Sequence, residues 1–440
     1  MSLSSSHHNH PALRFLTAGQ VDDGKSTLID RLLYDTHSLK DDHLEHLQRS
    51  SGEQHLNFAS LSDGLLGEQE RHITIDVAHH YLHTSERAFI LLDAPGHEEY
   101  TCNMATAAST CDAAVILVDA SRSHNQLADI PQQTKRHTLL AHLLRIPSII
   151  FAINKLDLVS DPVQTFIRLQ NLLQQFCAEM QISFAGIIPI SALLGINIVH
   201  PLKEAEHPLM QQLLQAYNGP PLLGVLSKLH SSSYEADAPL PLHLPIQYTD
   251  TNTAWGRIAT GKIHVDDEVT LQPDGVKTKI LQLFANALKP PQTLAYAQAG
   301  QSIGIKLKDQ STQLKHARGQ WLEHTSQPCA CSGFIKATLI WFDQAPCNPE
   351  QTYLLKHQHT WVKATITHIF NHVDLNDLQT KPVTEIRTNT IAEVMLSLEK
   401  PLPVHTYATS RTLGAFILVN PHTHQTSAAG LVLNSDSISD

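Results

Sequence analysis

The sequence predicts an α/β domain with a doubly wound, mostly parallel sheet, followed by two small all-β barrel domains. Three observations predict it. In the first half short apolar runs alternate with helical patterns. From about Ala238 the helical periodicity fades and short β-type runs bounded by turn residues take over. At 440 residues the chain also has the length for two to four ordinary domains.

The elements follow in order. Arg14–Ala18, Ala88–Leu92, Ala113–Val118, Ser148–Ile153 and Ile187–Ile190 are nearly continuous in apolar residues, as central parallel strands buried on both faces must be. Asp76–Thr84 alternates instead and suits an edge strand. Helical stretches lie near Lys25–Tyr34, Glu98–Ser109, Gln132–Arg145, Pro162–Met180 and Glu204–Tyr217. In the second half strands are expected at Leu244–Thr249, Trp255–His264, Glu268–Leu271, Val276–Phe284 and Ser302–Leu307. Others are expected at Gly333–Phe342, Thr360–Phe370, Ile391–Leu398 and Ala415–Val419, with Gly319–Pro328 read as a break. The expected division is a tail over 1–12, a nucleotide-binding domain over 13–232, and β-barrel domains over 238–322 and 330–440.

Composition excludes some classes. Hydrophobic residues make up 42% and charged residues 17%, which is globular rather than disordered. A net charge of −11 lacks the basic footprint that neutralises nucleic-acid phosphates, so no nucleic-acid partner is assigned. No apolar run reaches about 18 residues, so no transmembrane helix is expected. The Ser- and His-rich start, with His7, His8 and His10, is read as a frayed tail rather than a signal or metal site. The scattered cysteines suit a reducing, cytoplasmic setting. Cys329-Ala-Cys331 is a weak metal hint; without a second nearby pair or an assigned histidine ligand, no metal is placed there.

Four motifs carry the chemistry. Gly19-Gln20-Val21-Asp22-Asp23-Gly24-Lys25-Ser26, with Thr27 following, has phosphate-loop spacing between a strand and a helix. Loop N–H groups and the helix N-terminus stabilise anionic oxygens. Lys25 reaches the β- and γ-phosphates, and Ser26 ligates Mg²⁺. Asp93-Ala94-Pro95-Gly96-His97 ends the next central strand; Asp93 holds Mg²⁺ through water, and Gly96 lets its backbone approach the γ-phosphate. His97 then sits beside the attacking water as the catalytic candidate. Thr74 is the candidate second hydroxyl ligand of Mg²⁺.

Asn154-Lys155-Leu156-Asp157 follows another strand. Guanine presents N1–H and a 2-amino group side by side, and the single carboxylate of Asp157 can accept both. Adenine lacks that pair of donors, and a site built for a hydrogen bond rejects the analogue that cannot make it. Asn154 can tie base and phosphate loop together, and Lys155 can lay its stem on the ring face. Ser191-Ala192-Leu193 completes the base pocket. The set predicts an α/β phosphate-loop GTPase domain that uses GTP and Mg²⁺.

The chain resembles the large, GTPase subunit of bacterial heterodimeric sulfate adenylyltransferase, within the translation-factor-like GTPases. The resemblance lies in Val21–Ile29, Leu32–Thr36, Ile73–Ala78, Pro95–Thr101, Asn103–Thr106 and Ala108–Asp112. It continues through Trp341, Tyr353–His357 and Gly414–Val419. It implies a cytoplasmic heterodimer, or a higher assembly, with a small catalytic ATP sulfurylase subunit. That subunit makes adenylyl sulfate and pyrophosphate from ATP and sulfate, driven by GTP hydrolysis here. No second phosphate loop is found, so no adenylylsulfate kinase domain is expected. His72, Cys102, Ala107 and an insertion over 123–130 depart from the family's pattern. An elongation-factor-like GTPase carrying an RNA cargo shares the four motifs and the three-domain layout; Asp22-Asp23 and Ser109–Asp112 favour the sulfate-activating branch.

Overall fold

A computed structural model describes residues 12–39, 78–93, 104, 107–124, 130–202, 207–230, 237–250, 253–285, 292–308, 317–349, 351–373, 380–381, 385–388 and 390–434. The chain divides into two compact units, Met1–Ser231 and Ser232–Asp440.

In the first unit the apolar runs become β1 (Leu13–Ala18), β2 (Ala78–His83), β3 (Ala88–Asp93), β4 (Ala113–Asp119), β5 (Ser148–Asn154) and β6 (Gly186–Pro189). They form one sheet in the order β2-β3-β1-β4-β5-β6. β1, β3, β4, β5 and β6 run parallel, and β2 pairs antiparallel with β3 at the edge. All seven residues of β4 are buried, whereas β2 alternates, which is why one reads as a continuous apolar run and the other does not.

Helix α1 (Lys25–Asp35) packs Leu28, Ile29, Leu32 and Leu33 into the core with Phe15, Val115 and Ile188. α2 spans Gln132–Leu143. α3 (Pro162–Glu179) buries Phe166, Leu169, Leu173 and Phe176 at helical spacing. It starts where Asp161 accepts a hydrogen bond from the Gln164 N–H (3.0 Å) and Pro162 takes the first turn. α4 (Pro208–Leu213) is followed by α5 (Leu222–Lys228), which the sequence pattern does not announce. Pro220, Pro221 and Gly224 read as loop there, yet Leu222, Leu223 and Leu226 enter the same core.

The second unit is all β. Its first part contains β7 (His243–Thr249), β8 (Ala254–Arg257), β9 (Lys262–His264), β10 (Glu268–Gln272), β11 (Val276–Ala285), β12 (Gln292–Leu294), β13 (Tyr296–Gln298), β14 (Ser302–Leu307) and β15 (Trp321–His324). β10, β15, β7, β8, β14 and β11 pair in a ring that closes through β10–β11. The expected single run Trp255–His264 is two strands, because the chain turns at Gly261. That residue has φ +80°, and a Cβ there would sit 2.6 Å from the Leu242 Cα. The stretch read as a break holds β15, which pairs with both β10 and β7. Four residues between turn formers give too little pattern to be recognised.

The rest supplies β16 (Cys331–Trp341), β17 (Thr352–His357), β18 (Thr360–Val373), β19 (Thr380–Lys381), β20 (Ile391–Pro403), β21 (Ala415–Val419) and β22 (Thr426–Asn434). β17, β21, β22, β16, β20 and β18 close a second ring through β17–β18. Register shifts in β16 and β18 let these long strands bend around it. Each ring has its own buried core, one around Leu244, Ile263 and Leu322, the other around Trp341, Tyr353 and Leu396. The fold class is the one the sequence predicts: a mainly parallel sheet followed by two closed antiparallel barrels.

Candidate nucleotide site

Parallel pairing brings the C-terminal ends of the strands to one edge of the sheet, where ligands of open α/β sheets bind. Thr17 stands beside Asp93, Asp119 beside Asn154, and Ile153 beside Pro189. The residues that follow β1, β4, β5 and β6 therefore converge.

The loop after β1 closes on itself. The Gln20 N–H donates to Asp23 Oδ2 (2.6 Å), and the Asp23 N–H donates to the Gln20 carbonyl (3.2 Å). Asp22 has φ +67° and Gly24 φ +94°, so the backbone turns sharply before α1 begins. A Cβ on Gly24 would lie 2.4 Å from Asn154 Nδ2. No side chain caps α1, so its first-turn N–H groups face the loop as an anion site. Ser26 and Thr27, both partly buried, lie in that turn.

Lys25 is buried, and its Nζ donates to the carbonyls of Gly19 (3.0 Å) and Gln20 (3.1 Å). Burial lowers its pKa, with Asp93, Asp23 and Asp22 opposing the shift. A buried ammonium with a donor to spare gains from an arriving anion. Asp23 is buried too, and desolvation pushes it up to about 6 despite the Gln20 N–H, Arg122 and Lys25. Asp93 is 2% exposed, and the Thr17 hydroxyl donates to its Oδ1 (3.3 Å).

Asn154 is the brace between the loop and the base motifs. Its Nδ2 donates to the Asp23 carbonyl (2.8 Å), and its Oδ1 accepts from the Ala192 N–H (2.9 Å). Lys155 adopts φ +62°, which starts the short turn Leu156–Leu158 and places a partly buried Asp157 within it. Ser191 is fully buried and pairs with Ile196; its Oγ accepts from the Leu194 N–H (3.2 Å). Leu193 is exposed, whereas Ala192 is buried.

Gly19–Thr27, Asp93, Asn154–Asp157 and Ser191–Leu193 thus belong to one sheet edge. Ala94, Pro95, Gly96, His97 and Thr74 lie outside the described residues.

Two residues were missed by sequence reasoning. Asp119, at the end of β4, accepts from Lys155 Nζ (2.8 Å) and from the Ser121 N–H (2.8 Å) and Oγ (2.6 Å). Burial alone would raise its pKa, but those hydrogen bonds outweigh it and hold the carboxyl below its usual value. Arg122 donates from Nη2 to the Val21 carbonyl (2.6 Å) and stands 3.8 Å from Asp23 Oδ1. Together they clip the phosphate loop to the end of β4. The strand-end rule could have found Asp119; nothing local marks Arg122, whose partner is 101 residues away.

Residues 10–227 match the elongation factor Tu GTP binding domain, and residues 334–433 match the GTP-eEF1A C-terminal domain-like family. The chain is 36% identical to sulfate adenylyltransferase subunit 1 of Sulfurovum sp. (strain NBC37-1), over 97% of this chain and 88% of that one. It is 35% identical to sulfate adenylyltransferase subunit 1 of Tolumonas auensis, over 96% and 87% of the two chains. The bifunctional enzyme NodQ of Rhizobium sp. (strain N33) is 35% identical over 96% of this chain but only 63% of its own length.

Proposed function

The chain belongs to the family of sulfate adenylyltransferase subunit 1, the GTPase subunit of that enzyme, and on that premise we propose how its site works and what it drives. GTP hydrolysis on this chain is coupled to the formation of adenylyl sulfate and pyrophosphate from ATP and sulfate on a small catalytic partner subunit. The observation that carries the reading is the Asn154 brace, which joins the phosphate loop to both base-recognition segments in one rigid edge.

The triphosphate lies along the loop amides and the start of α1, with Lys25 turned to its β- and γ-phosphates. Asp157 accepts the two guanine donors, the Ala192 segment faces the base, and Lys155 lines it. The donor set fits Mg²⁺: a buried carboxyl at Asp93 and a hydroxyl at Ser26 supply the oxygen ligands that a hard cation prefers. Ser26, Thr74 and, through water, Asp93 would hold the ion, which would neutralise charge on the phosphates. His97 orients the attacking water by hydrogen bonding. Phosphoryl transfer to water needs mainly positioning and charge stabilisation, so few side chains suffice.

His97→Ala is expected to bind GTP as the parent does and to lose the hydrolysis stimulated by the partner subunit with ATP and sulfate. Stimulated turnover that survives the substitution would remove His97 from this role.

A further inference from the structure

Three ligand-type side chains, far apart in sequence, meet in the second unit. His243 opens β7, Cys329 lies between β15 and β16, and His405 follows β20. The two Nε2 atoms of His243 and His405 are 3.0 Å apart, and Cys329 Sγ is 3.5 Å from His405 Nε2. All three ligand atoms lie within 4.8 Å of one another. Around a tetrahedral zinc ion, two nitrogens at about 2.0 Å would be roughly 3.3 Å apart, and a nitrogen and a sulfur roughly 3.5 Å. Two of the three separations are close to that spacing already.

The rings are also held in the right sense. His243 Nδ1 lies 3.1 Å from the Pro241 carbonyl and 2.9 Å from Thr260 Oγ1. Thr260 spends its own hydroxyl proton on the Pro241 carbonyl (2.6 Å), so both atoms act as acceptors and Nδ1 carries the ring proton. The lone pair of the neutral ring is then on Nε2, facing His405 and Cys329. A metal-bound histidine is fixed in this way, by its other nitrogen on a backbone carbonyl. The His405 ring stacks on Trp321 at 2° between planes.

Beside them sits Glu323, fully buried, with Oε2 4.0 Å from His243 Nε2. It accepts from the Cys329 N–H (2.9 Å) and from Gln272 Nε2 (2.8 Å), both neutral donors. A cation between the three ligands would supply the counter-charge that a buried carboxylate needs.

We propose that His243, Cys329 and His405 form a zinc site, with Glu323 or a solvent molecule completing the tetrahedron. A nitrogen and thiolate donor set suits Zn²⁺ above harder cations. Binding replaces the Cys329 S–H proton, which leaves to solvent, by a Zn–S bond; the metal changes no oxidation state. The ligands come from the first barrel, the connector and the segment after β20, so the ion fastens the two halves of this unit to each other.

The test uses the full chain, stripped with chelator and titrated with Zn²⁺ in one sample and with Co²⁺ in another. One high-affinity metal per chain and a thiolate-to-cobalt absorption band are expected. Cys329→Ser should abolish the band, and His405→Ala should weaken Zn²⁺ binding at least 100-fold, while a parent-like β-sheet circular dichroism spectrum and cooperative unfolding of the metal-free variants report that the second unit is folded. The histidines near the N-terminus cannot imitate the band, because they bring no sulfur. Added Zn²⁺ should raise the melting temperature of the stripped chain. Absence of the band in the parent chain, or metal affinity unchanged in both variants, would overturn the site and leave a hydrogen-bonded histidine pair.

Discussion

Asp157 is the residue on which nucleotide choice is proposed to turn. Its value lies in a carboxylate meeting two donors, so Asp157→Asn should lower GTP affinity by at least about 100-fold. The same variant should gain affinity for xanthosine triphosphate, whose 2-oxo group accepts where guanine donates. Competition binding of the two nucleotides checks this; an unaltered preference for GTP would remove Asp157 from the base pocket. Asp23 makes a second residue-scale prediction, through pH. Burial raises its carboxyl from the usual 3.8 to about 6. The unfolded chain therefore releases this proton first, so between those values folding stability falls as pH rises. In the nucleotide-free chain the loss from this group reaches about 3 kcal/mol above pH 6. Asp23→Asn should flatten that part of the profile in denaturant titrations of the first unit. At this scale the sequence was most readable where a motif sits directly after a strand, as the segments holding Lys25 and Asp157 do. It was least readable for Arg122, because a contact with Val21 across 101 residues leaves no local trace.

At the scale of elements, the site depends on how a strand, a loop and a helix join. Gly24 is where they meet: its positive φ starts α1, and its missing Cβ makes room for the Asn154 amide. Gly24→Ala should therefore cost about 1–2 kcal/mol of stability in backbone strain. It should also displace Asn154 from the Asp23 carbonyl and weaken GTP binding at least tenfold, measured by nucleotide titration. Parent-like binding would mean that the Asn154 brace does not set the loop. The central strands were legible because burial on both faces leaves an unbroken apolar run, as in β4. α5 was not, because Pro220, Pro221 and Gly224 mask three leucines that pack into the core. β15 was hidden for a related reason: four residues of strand lie among turn formers.

At the scale of the molecule, the sheet and the two closed barrels make a layout that strand spacing alone already suggested. Barrels were expected, but which strands close them was not readable, because β10–β11 and β17–β18 complete their rings through hairpins that look like any other. The meeting of His243, Cys329 and His405 was equally hidden, with the two histidines 162 positions apart in sequence. Among the described residues no helix is long and apolar enough to cross a membrane. The central claim is that hydrolysis at the Lys25 site serves adenylyl transfer elsewhere in the assembly. It is tested most directly by following GTP hydrolysis by the full chain with and without the small catalytic subunit, ATP and sulfate. Hydrolysis should rise only with the complete set, with adenylyl sulfate and pyrophosphate accumulating alongside. Hydrolysis that does not respond to the complete set would contradict the account.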